Sequence, residues 1–115
     1  MTSPTTTDPA AVLHFWFDEL SAAQHFAKDA ALDAAIARRF ALTLEAAARG
    51  ELSGWRASTP GRLAEIVVLD QFSRNVWRDT PRAFAQDGMA LVLAQELVAS
   101  GQDRALPPAQ RAFAY

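Results

Sequence analysis

Residues 59–81 constrain the fold most, because they are the most apolar part of the chain and also its richest in specific polar side chains. Threonine is a favoured helix N-cap, and Pro60 suits the first helical position because its missing N–H is not needed there. A helix is therefore predicted to begin at Thr59 or Pro60. The run from Ile66 to Leu69 is apolar on every side of such a helix, which predicts that this central helix is buried over most of its surface.

The same apolar run is also compatible with a buried β-strand, because short apolar runs do not distinguish the two structures. The start signal at Thr59 and the absence of a second segment with a strand pattern favour the helix. The prediction is a buried central helix followed by a loop over residues 73–79.

Two charged residues lie on the same side of the predicted central helix as its apolar stripe. At about 100° per residue, Asp70 and Arg74 fall in line with Leu63, Ile66 and Val67, and their i, i+4 spacing lets the two side chains meet. A charge on a buried face must be paired or hydrogen-bonded. The favoured interpretation is a structural Asp70–Arg74 pair that holds the following loop.

The alternative interpretation is a polar pocket that binds a small ligand. Residues 56–82 contain five arginines and three acidic residues, so the ligand predicted for this pocket is a small anion. The candidate ligand-binding residues are Asp70, Gln71, Arg74, Asn75, Trp77 and Arg78.

The composition limits the classes of partner and compartment. The chain has 115 residues, a net charge of −2 and no cysteine, which predicts one modest domain that binds neither nucleic acid nor an anionic membrane. No apolar run approaches the roughly 18–20 residues that span a bilayer, and the N-terminus lacks a signal-peptide pattern. The expected location is the cytoplasm.

The first helix of the chain also has a clear start signal. Helix 1 is predicted to start at Asp8-Pro9, with a buried stripe that includes Val12, Phe15 and Trp16. His14 lies away from that stripe, four residues before Asp18, and is interpreted as half of a surface His–Asp pair.

Helix 2 is predicted to run from about residue 29 to residue 49, after a connector at residues 21–28. Gly50 provides its left-handed C-terminal cap. Asp33 and Glu45 are predicted on its solvent-facing side, where Glu45 pairs with Arg49. Its buried stripe is predicted to be Leu32, Ile36, Phe40, Leu44 and Ala47.

Helix 4 is predicted from Thr80-Pro81 to about Ser100, with Gly101 as its cap. It is apolar on two faces, one formed by Phe84, Leu91 and Val98 and the other by Met89, Leu93 and Leu97. Such a helix is either central or part of a subunit interface, so a homodimer is one predicted assembly. Asp87 borders the first face and is predicted to meet an arginine of the 73–78 segment.

A fifth helix is predicted to start near Pro107-Pro108 and to be cut short by the end of the sequence. The expected organisation is a disordered tail at residues 1–7, followed by a single helical domain at residues 8–115 that lacks its C-terminal helices. No motif for a metal, a cofactor or a catalytic nucleophile is present, so neither a metal nor a cofactor is predicted.

Several motifs together resemble the bacterial domain-of-unknown-function family nine-two-four. They occur in order over the chain from about residue 11: Phe15-Trp16-Phe17, Phe26-Ala27-Lys28-Asp29, Arg39-Phe40, Gly50-Glu51-Leu52, Trp55, Thr59-Pro-Gly-Arg-Leu-Ala64, Leu69-Asp-Gln-Phe-Ser-Arg-Asn75, and Thr80-Pro-Arg-Ala-Phe-Ala85 with Asp87. The family's fold is grouped with tetratricopeptide-like superhelices, which implies antiparallel helix pairs and a concave surface but no reaction.

The sequence departs from the family pattern in two places. His25 stands where family members often carry Trp, and the Leu-Pro segment and His-Ser-Glu motif that follow in the family are absent here. The roughly 34-residue tetratricopeptide consensus is also not visible.

The predicted fold is an all-α, tetratricopeptide-like array of four to five helices in antiparallel pairs. The leading functional hypothesis is a helical-repeat-like domain that binds a protein partner. The alternative is a binding protein or enzyme for a small anionic metabolite, with Asp70 as base or anchor and Arg74 or Arg78 as the anion's partner. A third hypothesis is a structural, self-associating protein.

Overall fold

The computed structural model describes residues 8–26, 29–78, 80–111 and 113. All regular secondary structure in these residues is helical, which confirms the all-α prediction. The predicted tail at residues 1–7, the loop residue Asp79 and the C-terminal Tyr115 lie outside the described residues. The tetratricopeptide-like pairing and the single-domain organisation stay predictions.

Within that part of the chain there are seven α-helices: α1 Pro9–Leu13, α2 Ala22–Phe26, α3 Ala30–Ala48, α4 Thr59–Val67, α5 Ser73–Val76, α6 Asp87–Ala99 and α7 Pro108–Arg111. The π-helical segment His14–Glu19 extends α1, and the π-helical segment Val68–Phe72 joins α4 to α5. Tighter 3₁₀ turns cover Ser53–Ala57, Pro81–Phe84 and Gln102–Ala105. Each of the five predicted helices has a counterpart, and α2 is an addition.

The predicted start of α1 is confirmed, and the predicted cap of α4 needs a correction. The side chains of Asp8 and Asp29 accept hydrogen bonds from the first amides of α1 and α3. At α4, however, the cap is Ser58, whose Oγ accepts from the Gly61 amide at 3.0 Å. The prediction of Thr59 as the cap is therefore wrong by one residue, because the extended backbone that a cap requires falls at Ser58.

Both predicted glycine caps are confirmed. Gly50, just after α3, and Gly101, just after α6, have φ angles of 73° and 77°. These positive values place both residues in the left-handed region that glycine tolerates best, and they let the chain turn away from each helix.

The connector prediction for residues 21–28 missed helix α2. Its start is a reciprocal cap: the Ser21 amide donates to Gln24 Oε1 at 2.8 Å, and the Gln24 amide donates to Ser21 Oγ at 3.3 Å. His25, on this helix, stacks on Trp16 with ring centroids 4.3 Å apart and planes 8° apart. Its Nε2 donates to the Trp16 carbonyl oxygen at 2.6 Å. The His25 imidazole therefore packs flat against the Trp16 ring of the core.

Three phenylalanines join α1, α3 and the central helix into one core. The ring centroids of Phe15 and Phe40 are 5.2 Å apart, and those of Phe40 and Phe72 are 4.9 Å apart. The predicted stripes of helices 1 and 2 are confirmed by burial, with Val12 and Ile36 fully enclosed. Aromatic contacts of this kind fix the rotation of each helix about its own axis.

The central helix continues further than predicted. The Ser73 amide donates to the carbonyl oxygen of Val68, five residues earlier, so the helix widens by one residue per turn and then resumes as α5. The prediction of a loop from residue 73 is wrong, because Ser73 and Asn75 are buried and their backbone stays helical. The predicted start of helix 4 at Thr80-Pro81 is likewise only a 3₁₀ turn, and α6 begins at Asp87.

A fully buried carboxylate lies inside α4. The Glu65 side chain has no exposed surface, and its two oxygens accept from Nε and Nη2 of Arg56, each at 2.9 Å. The hydrogen bond to Glu65 raises the pKa of Arg56 against the lowering effect of burial, so the guanidinium stays charged. The bidentate pair compensates the desolvated charge of Glu65.

We expect Arg56→Ala to lower the free energy of unfolding by about 3 kcal/mol or more, because it leaves the Glu65 carboxylate buried without its partner. Urea unfolding followed by circular dichroism measures this loss. The double variant Arg56→Met/Glu65→Leu is the control and should recover most of it. An Arg56→Ala protein as stable as the wild type would contradict the role given to the pair.

Candidate functional site

The six candidate residues at the end of the central helix do not form one pocket. The structure separates them into three groups that face different neighbours. Asp70 and Arg74 lie beside α6, and Gln71 bonds to Asp70. Asn75 and Arg78 lie against α3, and Trp77 lies beneath Arg82.

The group against α3 converges on Asp33. Asn75 Nδ2 donates to Asp33 Oδ1 at 2.8 Å, while Arg78 donates from Nε to Oδ2 at 2.7 Å and from Nη2 to Oδ1 at 3.1 Å. Only 17% of the Asp33 side chain is exposed. Its predicted place on the solvent-facing side of the helix is wrong, because α5 packs along that side. We call these three residues the Asp33 clamp, and their mutual bonds favour a structural role.

Trp77 is covered by another cation. The guanidinium carbon of Arg82 lies 3.8 Å from the centroid of the Trp77 ring, and Arg82 Nη2 donates to Glu45 Oε1 at 3.1 Å. The predicted Glu45–Arg49 pair is therefore wrong. Arg49 instead pairs with Glu51 at 3.2 Å, just beyond the end of α3.

The remaining group forms the predicted ion pair and extends it. Arg74 Nη2 lies 3.3 Å from Asp70 Oδ1 and 3.6 Å from Asp87 Oδ2, which confirms both the Asp70–Arg74 pair and the prediction for Asp87. Gln71 Nε2 donates to Asp70 Oδ2 at 2.7 Å. The expected burial is wrong, however, because 27% of the Asp70 side chain and 46% of the Arg74 side chain are exposed.

These charges border a cavity of about 270 Å³ between the central helix and α6. We call it the α6 cavity. Its wall is mostly apolar, and its lining residues are Ile66, Asp70, Arg74, Asp87, Ala90, Leu91, Ala94 and Phe113. Of the six candidate residues, only Asp70 and Arg74 line it. Sequence reasoning missed its apolar wall, which combines two helices and the C-terminal Phe113.

The local excess of arginine is already used in ion pairs. Each of the five arginines in residues 56–82 has a carboxylate within 4.0 Å, and the pairs are Arg56–Glu65, Arg62–Glu96, Arg74–Asp70, Arg78–Asp33 and Arg82–Glu45. An anion bound by any of them would compete with a carboxylate that is already in place. The count of charges in the sequence therefore overstates the positive potential of this region.

A second cleft, of about 490 Å³, lies between α1 and the start of α4. Asp8, His14 and Asp18 line it together with Ser58 and Gly61. His14 Nδ1 is 3.1 Å from Asp18 Oδ2, and both side chains are largely exposed, which confirms the predicted surface pair. The Asp8 and Ser58 side chains cap α1 and α4. The polar groups of this cleft thus have local structural partners.

Within residues 8–26, 29–78, 80–111 and 113, no group of three or more His, Cys, Asp or Glu side chains is arranged to hold a metal ion. No helix in the same residues combines the length and the apolar character needed to cross a membrane.

Comparison with known proteins gives a family. Residues 12–115 match the model of a family described as bacterial protein of unknown function (DUF924), so the match extends over almost the whole chain. The chain belongs to this family, as its motifs indicate. No curated protein matches it.

A solved structure of a protein of unknown function from Agrobacterium tumefaciens is similar to this chain. The two share 37% sequence identity and superpose with a TM-score of 0.87 over 93% of this chain. The match covers 60% of the Agrobacterium chain, so the present chain spans less than two thirds of that relative's length. The likeness establishes the helical fold and leaves the biochemical role to be proposed.

We expect Asp70→Ala to change the free energy of unfolding by at most about 1 kcal/mol, because the pair with Arg74 is partly exposed to water. Asp18→Ala, which removes an exposed carboxylate from the His14 pair, is the matched control and should behave similarly. Urea unfolding of both variants measures the difference. A loss of several kcal/mol in Asp70→Ala alone would restore the interpretation of Asp70 as a structural anchor.

Proposed function

We propose that this chain is a helical binding domain and that it binds a protein partner through one face of α6. The observation that carries the proposal is a set of large apolar side chains that remain exposed on this face and in the 3₁₀ turn before it. Phe84 is 61% exposed and Leu91 is 59% exposed, and Val92 and Val98 are also open to solvent. Together with the α6 cavity, these four residues form what we call the α6 surface.

The exposed apolar face of α6 is unusual because the opposite side of the helix is already packed against the core. Leu93 and Leu97 are buried in the core, so α6 already has one face that holds it to the domain. A surface helix normally carries polar residues on its other side. Here the other side carries the exposed Leu91, Val92 and Val98, and Phe84 in the preceding 3₁₀ turn is also exposed. Such a set of apolar side chains suits contact with a second apolar surface.

The exposed residues and the cavity adjoin each other. Leu91 is both exposed and part of the cavity lining. The Arg74 guanidinium carbon lies 5.5 Å from the centroid of the Phe84 ring, which links Phe84 to the same charged border. Exposed apolar side chains beside a small cavity are also found at protein interfaces, where one side chain of the partner fills the pocket.

A second copy of the chain is the alternative occupant of the α6 surface. Leu91 and Val92 lie near the middle of α6, where a two-fold axis would bring the same residues of two copies together. Sedimentation velocity separates the two possibilities: a monomer at high concentration favours a different protein, and a dimer lost in Leu91→Gln favours self-association.

The proposal predicts where an unbiased set of ligands will bind. Peptides selected from a random display library against the wild-type chain should bind Leu91→Gln at least about fivefold more weakly, because the loss of an energetically important apolar contact costs more than about 1 kcal/mol.

Leu42→Gln is the matched control, because Leu42 is 49% exposed but lies on α3, away from the α6 surface. The selected peptides should bind this variant as they bind the wild type. Peptides that are insensitive to Leu91→Gln, or equally sensitive to both changes, would refute the α6 surface as the binding face.

A further inference from the structure

The charges around the α6 cavity do not balance. Asp70 and Asp87 contribute two carboxylates, and Arg74 contributes the one guanidinium among the residues that line the cavity, which leaves one net negative charge. No residue of α6 offsets this charge, because the helix contains no basic side chain. A small anion would meet repulsion here, whereas a cation would be attracted.

One carboxylate oxygen at this border lacks a donor. Asp87 Oδ1 is shielded from solvent and accepts no hydrogen bond from the described residues. The other oxygen, Oδ2, lies 3.6 Å from Arg74 Nη2, which is longer than a direct hydrogen bond. The Asp87 side chain as a whole is 42% exposed, but a shielded acceptor without a donor is unfavourable, so an added N–H donor at Oδ1 would stabilise this group.

The rest of the cavity suits an aliphatic chain. Ile66, Ala90, Leu91 and Ala94 supply its apolar wall, and the Phe113 ring contributes an aromatic surface. Its volume of about 270 Å³ is slightly smaller than the roughly 300–1,000 Å³ that is typical of sites for drug-sized ligands. The space fits one side chain or a short alkyl chain.

We propose that the α6 cavity binds a cationic nitrogen on a short aliphatic stem, with Asp87 and Asp70 facing the cation and the apolar wall enclosing the stem. The same chemistry is present in a free alkylamine and in a lysine side chain of a bound polypeptide. The proposal rests on the proposed function, because it assigns a ligand chemistry to the same surface. It replaces the anion expected from the number of arginines with a cation.

The test is an NMR titration of the wild-type chain with n-butylammonium chloride and, separately, with sodium butyrate at equal ionic strength. We expect saturable shifts of the Ala90, Leu91 and Ala94 amides with the amine and none with butyrate. Each methylene removed from the amine should weaken binding about threefold to fourfold, because the stem buries apolar surface. Saturable binding of butyrate, or no saturable binding of either probe at the cavity, would overturn the proposal.

Three variants locate the charge that is responsible. Asp87→Asn and Asp70→Asn should each weaken amine binding at least about fivefold, while Arg74→Gln should strengthen it by removing the competing cation. Asp18→Asn, at the cleft beside α1, is the control and should leave it unchanged. Amine binding that is lost in Asp18→Asn, or that survives both the Asp87 and Asp70 changes, would refute the assignment.

A further probe separates the two sources of the cation. N-acetyl-lysine methylamide presents the same ammonium and stem attached to a peptide backbone. Binding at least as tight as that of butylammonium supports the chemistry and the polypeptide partner together. Weaker binding than butylammonium keeps the cation site but assigns it to a free amine, which would count against the proposed protein partner alone.

Discussion

The arrangement of the site depends on the hydrogen bonds that the Asp33 carboxylate accepts. It receives Asn75 and Arg78 from the end of the central helix, 42 and 45 residues further along the chain, and so fastens α5 to α3. Because this end of the helix is fixed, the residues of the preceding π-helical turn have fixed directions too. Phe72 is held in the aromatic core, and Asp70 is left facing α6. The clamp thus separates a structural half of the polar cluster from a half that is partly exposed to solvent.

The π-helical turn explains why one short segment serves both halves. A regular α-helix would place side chains four apart on one stripe, whereas the extra residue of the wider turn shifts everything that follows it. Arg74 still contacts Asp70, four residues earlier, and also lies near Asp87, while Asn75 bonds to Asp33 of α3. π-helical turns are often found at functional sites, and here the turn contains Asp70, one of the charged residues that border the α6 cavity.

Local chemistry in the sequence predicted most of the helices, and distant contacts accounted for the failures. The stripes of α1 and α3, the cap at Asp8 and the glycine turn at Gly50 each depend on residues within a few positions of one another, so periodicity and capping rules were sufficient. The start of α2 followed from the same rules, but its Ser21–Gln24 cap was overlooked. By contrast, the partners of Asp33 and Glu65 come from other segments, and no one-dimensional pattern specifies which arginine will reach which carboxylate. The α6 cavity was missed for the same reason.

The central claim is that Asp33–Arg78 is structural and Asp70–Arg74 is not, and double-mutant cycles on the two pairs test it most directly. Alanine replacements at each residue, singly and in pairs, followed by urea unfolding give a coupling energy for each pair. We predict about 2 kcal/mol or more for Asp33–Arg78, because that pair is bidentate and largely enclosed, and less than about 1 kcal/mol for Asp70–Arg74, which is open to water. Equal couplings, or a larger coupling for Asp70–Arg74, would contradict the division of the cluster on which the proposed binding site depends.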